Sequence, residues 1–553
     1  MKTSLEHTLF REDSLSVVRF GLMLKKNGVS MSTLNFIPLI TVVLIVCSCA
    51  QLPTNYPVEK TTLITDTEHT ALGRQSAADR RGHPGKSQLI PLIDGVDAFY
   101  ARAALAVTAE SSLDVQYFLW HKDVTGQLLL KVLLDAADRG VRVRLLLDDL
   151  DNQALDPEFY ALDTHPNFSI RLFNPFVTRG FKYIDFFTSP ARLNRRMHNK
   201  SFTADNQYAI LGGRNIGDKY FDALEDVNFY DMDVIVTGPV VGKVSSHFDK
   251  YWNHETAVPI YAFEHNTATA DDLEDTRSSL MEFAELQRKS RYADDVRAAN
   301  FIDAIRGGRI PVYYGDADVV YDDPDKGLVN PPYKFVTKRD LLNPYLKSLQ
   351  NGLILVSPYF VPRTSGVASM GEMVDDGTSI DVITNSYSST DSGIVHAGYS
   401  RYRSDLLAHG IQIFELKPSS RKERPEGSVA FDSEASLHTK VFIFDREIVY
   451  IGSLNLDPRS VDINTEVGVM FHSPEMASRW ANEIDENALE HVYELELAQS
   501  PAESKGEFTY YTWDIEWLER IDGKTVRHEK EPGIGFWDRI LLFLKGLVPE
   551  GQI

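Results

Sequence analysis

His198-Asn199-Lys200-Ser201-Phe202-Thr203-Ala204-Asp205, followed by Gly212-Gly213-Arg214-Asn215, is matched further along the chain by His438-Thr439-Lys440-Val441-Phe442-Ile443-Phe444-Asp445, followed by Gly452-Ser453-Leu454-Asn455. Counted from each histidine, Lys stands at +2, Asp at +7, Gly at +14 and Asn at +17 in both copies. A repeat of this kind is weighed first, because a duplicated structural unit decides the architecture. Strand alternation puts His198, Lys200 and Phe202 on one face, and His438, Lys440 and Phe442 on one face of the second copy, so each imidazole points with its ammonium. Two half-domains, each carrying one copy, are the economical explanation.

Ahead of the first copy, Ser112-Leu113-Asp114-Val115-Gln116-Tyr117-Phe118-Leu119-Trp120 reads as a strand. Apolar residues recur at helical spacing from Thr125 to Arg139, Gly140 supplies a C-cap, and Val141-Arg142-Val143-Arg144-Leu145-Leu146-Leu147-Asp148-Asp149 reads as a second strand. This is a βαβ unit of a mostly parallel sheet. The same grammar precedes the second copy, with strands at Leu353-Ile354-Leu355-Val356-Ser357-Pro358-Tyr359-Phe360 and Gly377-Thr378-Ser379-Ile380-Asp381-Val382-Ile383-Thr384-Asn385. The expected class is α/β, as two pseudo-symmetric half-domains at residues 89–257 and 335–497. A charged connector at 258–334 joins them and a tail at 498–553 follows. At 553 residues the chain is too long for one ordinary core.

Chemistry follows from the repeated residue types. A histidine beside a fixed cation stabilises the oxygens of a phosphate, and Asn215 and Asn455 at +17, with Ser453 or Gly213 at +15, add donors. Phosphoryl transfer needs an in-line nucleophile and a proton for the leaving group on the opposite side, and paired histidines meet both needs. Lys200 and Lys440 neutralise the charge a divalent ion would otherwise carry, so no metal or other cofactor is demanded. A net charge of -22 disfavours nucleic acid as a partner.

Both copies match the HxKxxxxDxxxxxxGxxN signature, and on it the chain resembles the phospholipase D superfamily. Segments such as Asp114-Val115-Gln116-Tyr117, Ala136-Ala137-Asp138-Arg139-Gly140-Val141-Arg142-Val143, Ser357-Pro358-Tyr359-Phe360-Val361-Pro362 and His396-Ala397-Gly398-Tyr399 are similar to the bacterial cardiolipin synthase branch, especially its type C members. The resemblance, covering about Pro91 to His491, implies α/β/α half-domains of the phospholipase D fold with the active site at their interface. It implies transfer of a phosphatidyl group to phosphatidylglycerol through a phosphohistidine, with His198 as nucleophile and His438 as acid and base. Asp205 and Asp445 enter the candidate site as members of the motif. Members of the family back each histidine with a carboxylate on a following strand. Glu466 in Asn464-Thr465-Glu466-Val467-Gly468 is expected to orient His438. In the first copy Asp231 fits by context and Asp226 by equal distance, and Asp231 is preferred.

The N-terminus reads as a targeting segment. Lys25 and Lys26 precede an apolar run from Phe36 to Val46, right for a secretory h-region and too short to span a membrane. Leu44-Ile45-Val46-Cys47-Ser48-Cys49-Ala50 resembles a bacterial lipobox with Cys49 as the lipidated residue, the alternative being a plain cleaved signal peptide at 1–49. Residues 50–88 read as a tether. Cys47 and Cys49 are the only cysteines, so the body holds no disulfide. The expected setting is a bacterial envelope, lipid-anchored on the periplasmic side, with phospholipid substrates, a membrane surface as partner, and a monomer carrying both motifs. Arg192, Arg195 and Arg196 read either as a seat for an anionic headgroup or as a solvated loop. The apolar run from Phe536 to Val548 reads either as an interfacial helix or as one packed on the body. Rival functions on the same site are a hydrolase releasing phosphatidic acid and a secreted nuclease.

Overall fold

The computed structural model describes residues 52–546 and 548, apart from 226–227, 264–265, 331–336, 419–435, 500–502, 506–507, 511–512 and 522. The targeting segment with Cys49, and Asp226, lie outside the described residues. The chain divides into two compact units, Met1–Leu52 with Val177–Ser189, and Pro53–Phe176 with Pro190–Ile553. In the small unit Arg179–Ile184 is a 3-10 turn and Asp185–Thr188 a single helical turn. Asp185 closes that stretch on itself, accepting from the Val177 and Thr178 amides at 2.6 and 2.9 Å.

The large unit is built on strands. The first set is β1 Ser87–Leu92, β2 Ser112–Tyr117, β3 Arg142–Asp148, β4 Phe168–Phe173, β5 Ser201–Ala204, β6 Tyr208–Gly212, β7 Phe229–Tyr230, β8 Asp233–Thr237 and β9 Ala257–Pro259. The second is β10 Tyr313–Tyr321, β11 Gly352–Val356, β12 Ser379–Asn385, β13 Gln412–Leu416, β14 Ser436–Leu437, β15 Val441–Phe444, β16 Ile448–Gly452, β17 Val467–His472 and β18 Val492–Gln499. After them come β19 Glu503–Lys505, β20 Phe508–Tyr510, β21 Trp513–Ile521 and β22 Lys524–His528.

In the first half β1 pairs with β8, β8 with β6, β6 with β5 and β5 with β2, all antiparallel. Then β2, β3 and β4 run parallel, and β9 lies antiparallel on β4. The second half repeats this pairing for pairing. β10 joins β17, β17 joins β16, β16 joins β15 and β15 joins β11 antiparallel; β11, β12 and β13 run parallel, and β18 lies antiparallel on β13. The duplication read from the motifs is thus present strand by strand. The sheet is mixed, however, with parallel pairing confined to three strands of each half, because the motif strands return through short hairpins that only antiparallel neighbours can use.

Helices cover both faces. Gly95–Thr108 and Val124–Asp138 pack over β2 and β3 through Leu105, Leu129, Leu133 and Leu134, and Arg363–Asp375 with Arg403–Ala408 takes the matching place in the second half. On the opposite face Pro239–Trp252 and Pro474–His491 share one core, in which Val240, Val244, Met476 and Trp480 meet Leu211, Val236, Val449 and Val469 from both halves. A sheet buried on both faces must pair whatever polar groups it carries. Asp114 of β2 accordingly takes a forked pair of bonds from Arg144 of β3 at 2.6 and 2.8 Å.

The seam between the halves is a single strand. Tyr313 to Gly315 of β10 pairs with β1, and Asp316 to Tyr321 pairs with β17. At the changeover a side chain on Gly315 would put its Cβ 2.2 Å from the His472 carbonyl oxygen, so only glycine lets the backbones approach. The segment read from sequence as a connector therefore supplies the counterpart of β1. The tail read after residue 497 likewise supplies β21, which extends the second half beyond β18. Further on, Phe536–Lys545 forms a helix with Trp537 73% exposed and Leu541 and Leu544 about half exposed. Among the described residues no helix is long and apolar enough to cross a membrane.

The motif aspartates belong to this architecture. Asp205 has φ 51° in the β5–β6 turn, and its carboxylate accepts from the amides of Glu110, Ser111 and Ser112 at the start of β2, at 3.1, 2.8 and 2.9 Å. Asp445, also φ 51°, does the same for Gln350, Asn351 and Gly352 at the start of β11. Aspartate tolerates the left-handed turn and satisfies amides that the sheet leaves open. This corrects the expectation that these residues join the reacting group. Asp205 is fully buried, so Asp205→Ala is expected to lower unfolding stability by about 3 kcal/mol, whereas Asp445→Ala at its half-buried turn costs about 1–2 kcal/mol. Denaturant melts that find both replacements neutral would contradict this role.

Candidate active site

Each motif histidine is reached by a strand that crosses to the other half. β14 runs parallel to β7, with Ser436 opposite Phe229 and Leu437 opposite Tyr230, and the His438 amide donates to the Tyr230 carbonyl at 2.7 Å. The first motif mirrors this: Met197 bridges Thr465, the His198 amide donates to the Thr465 carbonyl at 2.9 Å, and the Thr465 amide donates to the Arg196 carbonyl at 3.0 Å. The next residue in each crossing strand is the acid, Asp231 after Tyr230 and Glu466 after Thr465.

The carboxylates therefore serve the opposite histidines. Glu466 Oε2 lies 2.9 Å from His198 Nδ1, and Asp231 Oδ2 lies 2.5 Å from His438 Nδ1. The pairing expected from sequence, Glu466 with His438 and Asp231 with the first motif, is corrected: the residues are those named, but they are exchanged across the interface. Both oxygens face Nδ1, and so does the Ser453 carbonyl at 3.2 Å from His198. Acceptors on that side place the proton on Nδ1 and leave the Nε2 lone pair free.

The copies differ where their acids differ in length. Ser453 donates to Glu466 Oε2 at 2.5 Å and takes the Val467 amide at 3.0 Å. At the matching Gly213 a Cβ would stand 2.1 Å from Asp231 Oδ1, so the shorter acid occupies the space a serine would need. The Met232 amide, at 2.8 Å, supplies Asp231 with a bond in its place. Asn215 is committed, accepting from the Leu119 amide at 3.2 Å and donating to the Tyr220 hydroxyl at 2.9 Å. Asn455 is buried with its amide oxygen unpartnered among the described residues, and so retains capacity for a bound group. The ammonium of Lys200 donates to the His198 carbonyl at 2.7 Å; that of Lys440 donates to the His438 carbonyl and lies 3.1 Å from His438 Nδ1.

Burial dominates the electrostatics. Desolvation takes His198 down to about 4 against the opposing charge of Glu466, and carries His438 well below its ordinary value with help from Lys440. Desolvation likewise lowers Lys440, and takes Lys200 down to about 7. The carboxylates part company. Burial raises Asp231, whereas for Glu466 the same penalty is outweighed by His198, Lys338 and Lys200, which hold it at about 2. Together the groups set two buried imidazoles, both held toward their neutral form, beside two buried lysines.

Under Glu466 lies a set that sequence reasoning missed. Asp322 Oδ2 accepts from the Glu466 amide at 3.0 Å, from Lys338 at 2.9 Å and from Lys326 at 3.1 Å, all buried. Asp322 and Lys326 fall in the presumed connector, and no motif marks them; Asp322 standing directly after the short apolar run Val319-Val320-Tyr321 was the available signal. The arginines before His198 fit neither reading made of them. Arg196 is buried against Asp148 at 3.2 Å and donates to the Asn174 carbonyl at 2.7 Å. Arg192 donates to the Pro175 carbonyl at 2.7 Å, and Arg195 to the Lys326 carbonyl at 3.0 Å. They brace backbone.

A family model described as cardiolipin synthase, PLD-like domain matches residues 104–252 and 342–488. The chain is 37% identical to cardiolipin synthase C of Escherichia coli over 470 residues, covering 84% of this chain and 96% of that protein. It is 29% identical to an uncharacterized protein of Helicobacter pylori over 510 residues, covering 91% of this chain and 97% of that one. The crystal structure of a phosphatidylserine synthase from Haemophilus influenzae matches with a TM-score of 0.49 and 12% identity, covering 75% of this chain and 91% of that one.

The exchanged acids make a measurable claim. Double-mutant cycles on unfolding stability are expected to give coupling of about 1–2 kcal/mol for His198 with Glu466 and for His438 with Asp231, and near zero for the two same-half combinations. Coupling confined to the same-half pairs would refute the crossing.

Proposed function

The chain belongs to the family of the cardiolipin synthase, PLD-like domain, and on that premise we propose that it is a phosphatidyltransferase that forms cardiolipin, moving a phosphatidyl group from one phospholipid to the terminal hydroxyl of phosphatidylglycerol. The observation that carries this reading is the pair of buried imidazoles, each held at Nδ1 by an acid from the other half and each beside a lysine.

In the first step His198 Nε2 attacks phosphorus. A P–N bond forms, the bond from phosphorus to the donor headgroup oxygen breaks, and protonated His438 gives that oxygen its proton. In the second step neutral His438 takes the proton of the acceptor hydroxyl, the acceptor oxygen attacks phosphorus, and the P–N bond breaks. Lys200 and Lys440 balance the phosphate charge throughout. His438 gains its proton once a phosphate binds, because the anion offsets the burial and the Lys440 charge that hold the ring neutral. His198 is the better candidate for nucleophile: phosphorylation at Nε2 leaves the ring positive, with its Nδ1–H donating to Glu466, the acid held ionised. The Ser453 hydroxyl, and the Asp322 carboxylate that accepts from the Glu466 amide, keep that acid in place.

The same reading sets the protein on a bacterial envelope membrane, tethered through Cys49 and facing the periplasm, as one chain holding both motifs. The lipobox-like run before Cys49 supports the tether, and the exposed apolar side of Phe536–Lys545 supports contact with a lipid surface. Palmitate labelling that survives Cys49→Ser would remove the anchor.

In cells overproducing the protein, new cardiolipin is expected in lipid extracts, with His198→Ala or His438→Ala lowering its formation at least about 1000-fold. Phosphatidic acid as the only new lipid would turn the reading into hydrolysis, and turnover that persists in either variant would end it. The pH profile gives a second check. Because His198 titrates at about 4, it stays neutral and nucleophilic as pH falls from 7 to 5. The acid limb of kcat/KM that reports the nucleophile is expected at about 4; a limb at the ordinary histidine value of about 6.5 would place the nucleophile in a wetter site.

A further inference from the structure

Lys219 is a cation at the rim of the site that the two-step reaction leaves unused. It sits in the single turn Asp218–Tyr220, just after Asn215. The turn is pinned to the opposite wall: the Asp218 carboxylate accepts from the Thr125 amide at 2.8 Å, and the Asp218 amide donates to Asp123 at 2.7 Å. From this fixed base the Lys219 ammonium reaches over the Phe229 ring at 4.7 Å and the Tyr220 ring at 5.5 Å. Phe229 in turn stacks on the His438 imidazole with centroids 5.0 Å apart, and Tyr220 meets it edge-on at 5.4 Å. One ring therefore separates Lys219 from the group that takes the acceptor's proton.

The ammonium has no carboxylate at ion-pair distance among the described residues. Asp391, Asp151 and Asp123 act on it only at longer range, and burial works against its charge. A half-buried cation resting on two aromatic faces, with its carboxylates beyond ion-pair distance, is one whose charge an arriving anion would stabilise. In phosphatidylglycerol the attacking hydroxyl stands five bonds from the lipid's own phosphorus, a span of about 6 Å when extended. A hydroxyl delivered to His438 thus carries its phosphate toward the next ring out. Lys200 and Lys440 are occupied with the transferring phosphate, so a second anion needs a second cation.

We propose that Lys219 receives the phosphodiester of the acceptor lipid, forming an acceptor subsite distinct from the one that holds the transferred group. This rests on the transferase reading above. Asp391 flanks the approach, held by the Tyr359 hydroxyl at 2.8 and 2.9 Å and close enough to act on both His438 and Lys219. Its charge repels a doubly charged monoester more strongly than a singly charged diester, which favours phosphodiesters bearing a free hydroxyl as acceptors.

The test uses the purified full chain with one labelled phosphatidyl donor and two competing acceptors, short-chain phosphatidylglycerol and glycerol. The wild type is expected to favour the anionic acceptor. Lys219→Met is expected to reduce the phosphatidylglycerol-to-glycerol product ratio about tenfold, and Lys219→Arg to restore it to within about threefold. Because the ratio is internal to each preparation, partial misfolding does not imitate it. An unchanged ratio, or equal loss toward both acceptors, would overturn the subsite and reduce Lys219 to a prop for the Phe229 stack. A wild type that yields only phosphatidic acid would overturn the transferase reading itself, and does so before any variant is compared.

Discussion

A buried imidazole N–H must have an acceptor, and in this protein each acceptor is supplied from across the interface. His198 depends on Glu466 and His438 on Asp231, and the crossing strands that deliver the acids also take the backbone amides of both histidines. Leaving a buried hydrogen-bonding group without its partner costs about 1–3 kcal/mol, so separating the halves would strand two acids and two rings at once. The halves are therefore interdependent at the point where the chemistry is concentrated.

Duplication supplied the plan, and divergence made the two sides unequal. Asp231 is one methylene shorter than Glu466; that shorter reach draws its carboxylate over Gly213 and forbids the side chain that Ser453 presents in the other copy. Asn215 is spent on the Phe118–Trp120 turn and Tyr220, while Asn455 keeps an open amide oxygen. The charges follow the same split, with Glu466 held ionised and Asp231 pushed toward its neutral form. Small packing differences of this order are enough to make two nearly identical motifs unequal.

What the sequence made legible was whatever depended on local spacing. The offsets from His198 and His438, the strands at Ser112 and Leu353, and the helix closed by Gly140 all come from short-range periodicity, and the observed elements follow them closely. Which acid serves which histidine was not legible. The same-half acids stand 33 and 28 residues past their histidines, whereas the observed partners are 268 and 207 residues away, and only the crossing strands, such as β7 on β14, decide between them. The motif aspartates misled for a related reason: they accompany the histidines in sequence, yet their carboxylates point to the amides at Ser112 and Gly352. Asp322 escaped notice because a buried network drawn from several segments has no spacing of its own, and β10 was hidden by the charged residues Asp316 and Asp318 that alternate along it.

The shared strand β10 has a bearing on how substrates of this size come and go. Its hydrogen bonds to β1 and to β17 form one continuous ladder, with Gly315 at the handover, so the halves cannot swing apart like a clamshell without tearing a sheet. Whatever reaches His198 and His438 must therefore do so with the two halves in the arrangement that this ladder fixes.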